Sequence, residues 1–426
     1  MFSLIKHLPD SSFISNKLSN GYIVHSLHNA NAEVFFNRKR ELVNFKEAFS
    51  DFSPKLHVVL GPPSTGKTTL VHQILTNDKN FNPIFINCRS GQFDSLENVY
   101  NSLSRQFKTF FDKQKEYLRN LPNFEMGFKA NIPDFELSST KKEKEEITFA
   151  KVSELFNKIA NALPDWNFWN SYKLPQPILV IDEANRFSRL GNSLNGGQEL
   201  LKSFLDWLVL NTKEQKSFHA ILTSSDSFFL DWIINELHIP HVTPYIVGDL
   251  SKKEAEEYFE KHVLPRYECK ELEGKFDQVC KITGTRMLII DMYVGEYEIS
   301  KGKLADRDFS VYELEYDKLY RGLNPNELHP YKSRPPLWKD DDLIKTMEAI
   351  VNAKDQGYIL ERELVKEIGF KQVNSLINYN FLHRRPTKRF AYDIKCLSNE
   401  AILTAMNMPS VRAMEDHLSL VSSNKK

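Results

Sequence analysis

Short unbroken apolar runs and helix-period stretches alternate over the first 250 residues. The runs lie at 56–60, 83–88, 176–181, 218–222 and 241–247, and Gly, Pro, Asn or Ser bound most of them. Runs of this length without alternation predict strands buried on both faces of a parallel sheet. Between them, residues 94–108 put Leu96, Tyr100, Leu103 and Phe107 on one helical face, and 147–163 and 197–210 keep helical spacing. The order predicts an α/β fold, a doubly wound parallel sheet with right-handed crossovers. Pro244 argues for an edge strand or an irregular end in the last run. Residues 123–138 alternate apolar and polar positions and predict a small inserted hairpin. The mixed-charge run 139–146 reads as a solvated loop and helix start.

After Gly248 the strand pattern stops. Ser251 with Glu254 three residues on forms a capping box for a helix reaching about residue 262. Helices at 271–282 and 285–300 complete a helical lid over 249–301. Residues 302–337 read as a connector with one helix near 311–320. Helices at 343–351, 361–368 and 371–377 then precede strands at 380–383 and 389–394, which describes a winged helix over 338–396. Two helical segments, 399–406 and 411–420, make a C-terminal helical tail over 397–426. The α/β core therefore spans 34–248, and residues 1–33 read as an N-terminal arm or leader.

Composition narrows the partners. Lys plus Arg and Asp plus Glu both number 56, so the formal net charge is zero, and no global field announces nucleic acid or membrane. A local patch remains in the wing: His383, Arg384, Arg385, Lys388 and Arg389. The third helix before it offers Lys371 and a few Asn and Gln, so nucleic-acid binding through the basic wing stays open but is less favoured than an intramolecular or protein-contact module with solvated wing charges. The 4 cysteines are far apart without metal-ligand spacing, which suits free thiols in a reducing compartment. No apolar run nears the roughly 20 residues of a membrane span. An intracellular, cytoplasmic protein without a membrane partner is expected. The nucleus stays open, and so does the mitochondrion: the first 35 residues hold Lys6, Lys17, several Ser and no Arg before Arg38.

The chemistry concentrates after the first strand. Gly61, Pro62, Pro63, Ser64, Thr65, Gly66, Lys67, Thr68 and Thr69 satisfy G-x-x-x-x-G-K-[ST] between a strand and a helix. Such a loop aims backbone N–H groups at a triphosphate, and the helix adds its positive end. Lys67 supplies a charge for the outer phosphates, and the Thr68 hydroxyl is a ligand for Mg2+. Asp182 ends the 176–181 strand, where a carboxylate needs a partner. That partner is expected to be Mg2+ with its waters. The adjacent Glu183 is then placed to polarise water for attack on the γ-phosphate. Residues 222–225 end the next strand in hydroxyls. Ser224 is the first candidate to reach the γ-phosphate or the water, with Thr223 and Ser225 as alternatives.

Taken in order, the set Phe36-Asn37-Arg38, Glu41-Leu42, the phosphate loop, Asp182-Glu183, Leu222 to Ser225, Tyr245 with Gly248 to Ser251, and Ile282-Thr283-Gly284 resembles the archaeal-type ATPases of the AAA+/STAND group of P-loop NTPases, especially their fungal relatives. The resemblance covers residues 34–300 and reaches the winged helix more loosely. It implies that Arg38 and Glu41 help to build the nucleotide pocket, although Asn37 stands where the family has Gly. It implies ATP as the nucleotide. The family's Gly-x-Pro lid motif is Gly284-Thr285-Arg286 here, which makes Arg286 a candidate phosphate sensor. Arg186 or Arg189 is a candidate arginine finger. The function expected is an ATP-binding, Mg2+-dependent ATPase coupling ATP binding and hydrolysis to conformational change, with an unknown protein client or self-association. The alternatives are a slow-hydrolysing regulatory nucleotide switch, or a DNA-binding initiator-like ATPase that uses the winged helix.

Overall fold

The five apolar runs become β1 (Leu56–Leu60), β2 (Phe81–Asn87), β3 (Gln176–Asp182), β4 (His219–Ser224) and β5 (Val242–Ile246). They form one parallel sheet in the order β2-β3-β4-β1-β5. This computed structural model describes residues 38–50, 53–119, 146–192, 196–237, 242–328, 334–386, 391–395 and 398–424. The arm at 1–33, the hairpin at 123–138, most of the charge run, Lys388 and Arg389 lie outside the described residues.

Every residue of β1 and β4 is buried, as a sheet covered on both faces requires. The period of two sorts them. Val58 and Leu60, Ala220 and Leu222, and Leu179 and Ile181 share one core. On that face lie residues from α3 (Leu96–Arg119), α4 (Phe149–Ala162), α5 (Gly197–Val209) and α6 (Phe229–Leu237). His57 points to the opposite face, where Phe49 of α1 (Lys39–Phe49) meets it edge-on at 5.2 Å. The helix after the phosphate loop is α2 (Lys67–Asn77). β5 is an edge strand and carries Pro244. The β4 strand lies between β1 and β3, so its polar C-terminal end is set between the phosphate loop and the acid pair.

Beyond the sheet, Ser251 and Glu254 form the expected reciprocal cap at the start of α7 (Lys252–Tyr258), which continues through a wider turn into Leu264–Tyr267. Then follow α8 (Phe276–Thr283), α9 (Met287–Ile299), α10 (Ser310–Gly322) and α11 (Asp340–Asn352). Next are β6 (Ile359–Leu360), α12 (Glu361–Ile368), α13 (Phe370–Asn378), β7 (Leu382–Arg385), β8 (Ile402–Ala405) and α14 (Met408–Asn424). Residues 340–405 thus run in the element order of a winged helix.

Two local expectations change. The strand pairing with β7 is β8, not residues 389–394. Residues 399–406 accordingly include a strand instead of a helix. Ile402 and Leu403 pair on both sides, to β6 and β7, and this long-range pairing overrides the local helical spacing. Freed from the sheet, residues 391–394 turn toward the core. The terminal helix α14 is also no loose tail: it packs against α8, α10 and α11. There Tyr312 Oη donates to Asp416 at 2.5 Å, and His417 stacks on Tyr316 at 4.1 Å.

The buried imidazoles carry a pH signature. His57 and His383 are both pushed well below 6.5, chiefly by burial. A base whose folded pKa is depressed stabilises the fold while neutral, and that stability is lost progressively as pH falls from the unfolded value toward the folded one. We expect the denaturant midpoint to be flat above about pH 6.5 and to drop below it. A urea series measured across that range checks this; a midpoint that rises on acidification contradicts it.

Candidate active site

The phosphate loop begins where β1 runs out. Val247 N–H donates to Leu60 O at 2.8 Å, holding the end of β5 beside it. Gly61 has φ of 155°, and a Cβ there would lie 2.1 Å from Val247 O, so only glycine fits this approach. Lys67 is 5% exposed, and its Nζ donates to Gly61 O and Pro62 O, both at 2.9 Å. Burial pulls the Lys67 ammonium down to about 7; the Glu183 and Asp182 carboxylates pull it up, and Arg286 and Arg89 pull it down. Thr65 Oγ1 donates to Pro62 O at 3.0 Å and ties the loop to itself.

The acid pair sits as the strand order predicts. Thr68 Oγ1 donates to Asp182 Oδ1 at 2.6 Å, and Thr223 Oγ1 donates to the same oxygen at 2.5 Å. Thr68 and Asp182 are hard oxygen donors in contact, a set that suits Mg2+ when phosphates and water complete the shell. Glu183 has φ of 56° and ψ of 47°, a left-handed conformation for a non-glycine residue. Thr223 Oγ1 accepts from its N–H at 3.1 Å. That strained turn aims the side chain away from the strand. Its Oε1 accepts from Arg89 Nη2 at 2.5 Å and from Ser225 Oγ at 3.4 Å.

Of the three hydroxyls, Thr223 and Ser225 touch the acid pair and Ser224 does not. Ser224 Oγ donates to Asn185 Oδ1 at 3.3 Å instead. The strand's period of two explains the split. Arg89, just past the end of β2, carried no signal in the sequence because nothing local marks it. The finger candidates differ in exposure: Arg189 is 54% exposed and 3.6 Å from Asp94, and Arg186 is half-buried.

Arg38 meets the loop directly, and Glu41 joins it through Arg38. Arg38 is 1% exposed; its Nη1 donates to Glu41 Oε1 at 2.9 Å, and Nη2 donates to Thr65 O at 2.7 Å and Gly248 O at 2.8 Å. One guanidinium thus staples α1, the phosphate loop and the segment after β5. Burial pushes the Glu41 carboxyl up, against the opposing charge of Arg38.

Arg286 has other partners in hand. Its Nε donates to Asp249 Oδ1 at 2.7 Å, and Nη2 donates to Met406 O at 2.7 Å. It therefore joins the start of α9 to the C-terminal module formed by α11 to α14, residues 340–424. From that module Arg385 makes a bidentate pair with Asp393, both contacts 2.8 Å. Arg385's charge and hydrogen bonds hold Asp393 below the usual carboxylate range, against the opposite push of burial. Asp393 Oδ2 accepts from Asp249 N–H at 3.2 Å, and a Cβ on Gly248 would fall 2.1 Å from Asp393 Oδ1. Tyr392 Oη accepts from Asn44 Nδ2 of α1, and Arg40 lies over the Tyr392 ring. His383 is 2% exposed with neither ring nitrogen hydrogen-bonded. Burial, then the charges of Arg385, Lys67 and Arg286, keep it neutral. Sequence reasoning grouped His383, Arg384 and Arg385 as a basic wing. Here they face inward: Arg384 binds Glu361 at 2.8 Å and Asp231 at 2.7 Å.

Residues 35–289 match the family described as an ATPase domain predominantly from Archaea. The chain belongs to this archaeal-type ATPase family. An uncharacterized ATP-binding protein of Methanocaldococcus jannaschii is 27% identical over 239 residues, 52% of this chain and 62% of its own length. The chain thus spans about three-fifths of that relative. Another from the same organism is 24% identical over 345 residues, 78% of this chain and 85% of its own length. Among solved structures, a Walker-type ATPase of Pyrococcus abyssi is similar over 90% of this chain and 97% of its own, with TM-score 0.51 and 16% identity, a likeness of fold. No helix among the described residues is long and apolar enough to cross a membrane.

For this archaeal-type ATPase domain two outcomes follow. Arg38→Met leaves Glu41 buried without its partner, which costs about 3–5 kcal/mol and shows as a lowered denaturant midpoint. Separately, a triphosphate favours the charged form of Lys67, so nucleotide binding above about pH 7 takes up a proton. Calorimetry in buffers of different ionisation enthalpy reads that uptake, and Lys67→Arg removes it.

Proposed function

We propose that this chain is an ATP-binding, Mg2+-dependent ATPase in which ATP binding and hydrolysis alter the contact between the α/β core and the C-terminal module. One observation carries the reading: Arg286, whose charge is felt at Lys67, is hydrogen-bonded to the main chain of that module at Met406. A phosphate that attracts Arg286 competes directly with the inter-module bond. In this reading the loop N–H groups and Lys67 bind the outer phosphates, Thr68 and Asp182 hold Mg2+, and Glu183 takes a proton from the attacking water. Mg2+ would supply charge neutralisation between phosphates. Ser225 and Thr223 orient the acid pair, and Ser224 positions Asn185.

A second reading, the slow nucleotide switch, has its own support. The Glu183 carboxylate is occupied by Arg89, so it must leave an ion pair before it can reach a water. Turnover would then be slow, and the bound nucleotide would set the module contact between cycles. The DNA-binding reading is weaker, because Arg384 and Arg385 are spent on Glu361, Asp231 and Asp393. An unknown protein client or a second copy remains the proposed partner.

Hydrolysis by the full chain with Mg2+ tests both readings. Glu183→Gln should bind ATP and lose turnover by about 10²–10⁴-fold, and Lys67→Ala should lose binding. Arg89→Ala should raise turnover if the ion pair restrains Glu183; unchanged turnover removes the slow-switch argument. No ATP binding by the unmodified chain overturns the proposal.

A further inference from the structure

A groove of about 790 Å³ opens between the core and α13, away from the phosphate loop. Its core wall is the segment after the acid pair together with the start of α6. Its other wall is α13 and the extended residues 334–337. Tyr379 Oη donates to Arg334 O at 2.7 Å, and Ser375 Oγ accepts from Leu337 N–H at 3.0 Å, so that stretch is fixed along α13.

Four side-chain amides converge on the groove: Asn185, Asn192, Asn374 and Asn378. Among the described residues, Asn185 makes one side-chain hydrogen bond, to Ser224. Buried Asn374 Oδ1 has no partner at all. Each amide offers a donor and an acceptor side by side, which is the pairing a peptide main chain presents. Apolar area accompanies them. Phe370 is 62% exposed and Leu337 52% exposed, and the half-buried Trp232 ring also lines the groove. The charged lining is Asp226, Arg334 and Lys371. Asp226 already accepts from Phe228 N–H at 2.8 Å. Two cations against one carboxylate are too few for a polyanion, where several phosphate contacts are needed.

We propose that this groove binds an extended peptide segment of a partner protein, carrying an apolar or aromatic anchor beside an acidic residue. Its main chain pairs with the asparagine amides, its anchor lies on Phe370 and Trp232, and its carboxylate meets Lys371 or Arg334. Asn185 stands two residues after Glu183 and bonds the end of β4, so the peptide touches the segment that carries the acid pair. The proposal rests on the groove's chemistry and holds whether or not the chain turns over ATP.

The test uses the full chain loaded with ADP or with a non-hydrolysable ATP analogue. A displayed library of random linear peptides of about eight residues, enough to span such a groove, is selected against it. The expected result is enrichment of peptides with an aromatic or large aliphatic residue next to Asp or Glu. One enriched peptide, labelled with fluorescein, should lose at least tenfold in affinity to Phe370→Ser and to Asn378→Ala. Both sites are solvent-accessible enough to leave the melting curve unchanged, which is measured alongside. Raising salt should weaken binding only slightly. Failure to enrich any peptide over the Phe370→Ser, Asn378→Ala double variant overturns the proposal. So does equal affinity for that variant, or displacement of the peptide by a short single-stranded DNA with steep salt dependence.

Discussion

The structure turns on a chain of buried charges that meets at the Gly248–Asp249 peptide. Arg286 binds the Asp249 carboxylate, Asp393 accepts from the Asp249 N–H, Arg385 forks onto Asp393, and Arg38 binds Gly248 O. Burying ions costs several kcal/mol each, and the pairs return little net stability. Their value lies in geometry, since a half-made network leaves a charge unpaired in low dielectric. The C-terminal module therefore has one seat on the core. Gly248 is part of that seat, because any side chain there would strike Asp393.

In the proposed function the same network makes the phosphate loop and the module one mechanical object. The phosphate loop is stapled to Gly248 through Arg38. The start of α9 is tied to β8's end through Arg286 and Met406. A polyanion entering beside Lys67 changes the electrostatic field felt by Arg286 and His383 before anything moves. Since both bear on the module, coupling needs no relay of small shifts. It needs only that Arg286 have two sets of partners of similar strength.

Much of this was legible in the chain. The continuous apolar runs marked the parallel strands because a two-sided buried sheet leaves no polar alternation. Pro244 marked the edge because it lacks a ladder donor. The phosphate loop and the Asp182-Glu183 pair were readable because their chemistry is local in sequence. What was not legible depends on distance. Nothing near Arg89 shows that it will meet Glu183, and nothing near Asp393 shows that it will sit on Gly248. The partners of the wing charges were hidden for the same reason. Arg384 and Arg385 look like a basic surface because the fold, not the local sequence, brings Asp231, Glu361 and Asp393 onto them; Asp231 lies more than a hundred residues away. Residues 399–406 carry a helical pattern locally, but pairing with β6 and β7 makes β8 of them.

We propose that nucleotide state governs whether the C-terminal module stays seated on the core. The direct measurement is a pair of spin labels on the exposed side chains of Lys113 in α3 and Lys366 in α12, with distances read by pulsed electron resonance in the Glu183→Gln background. The account predicts a single narrow distribution with ADP and a second, displaced population with ATP and Mg2+. One identical narrow distribution in both states, with ATP binding verified, would contradict it.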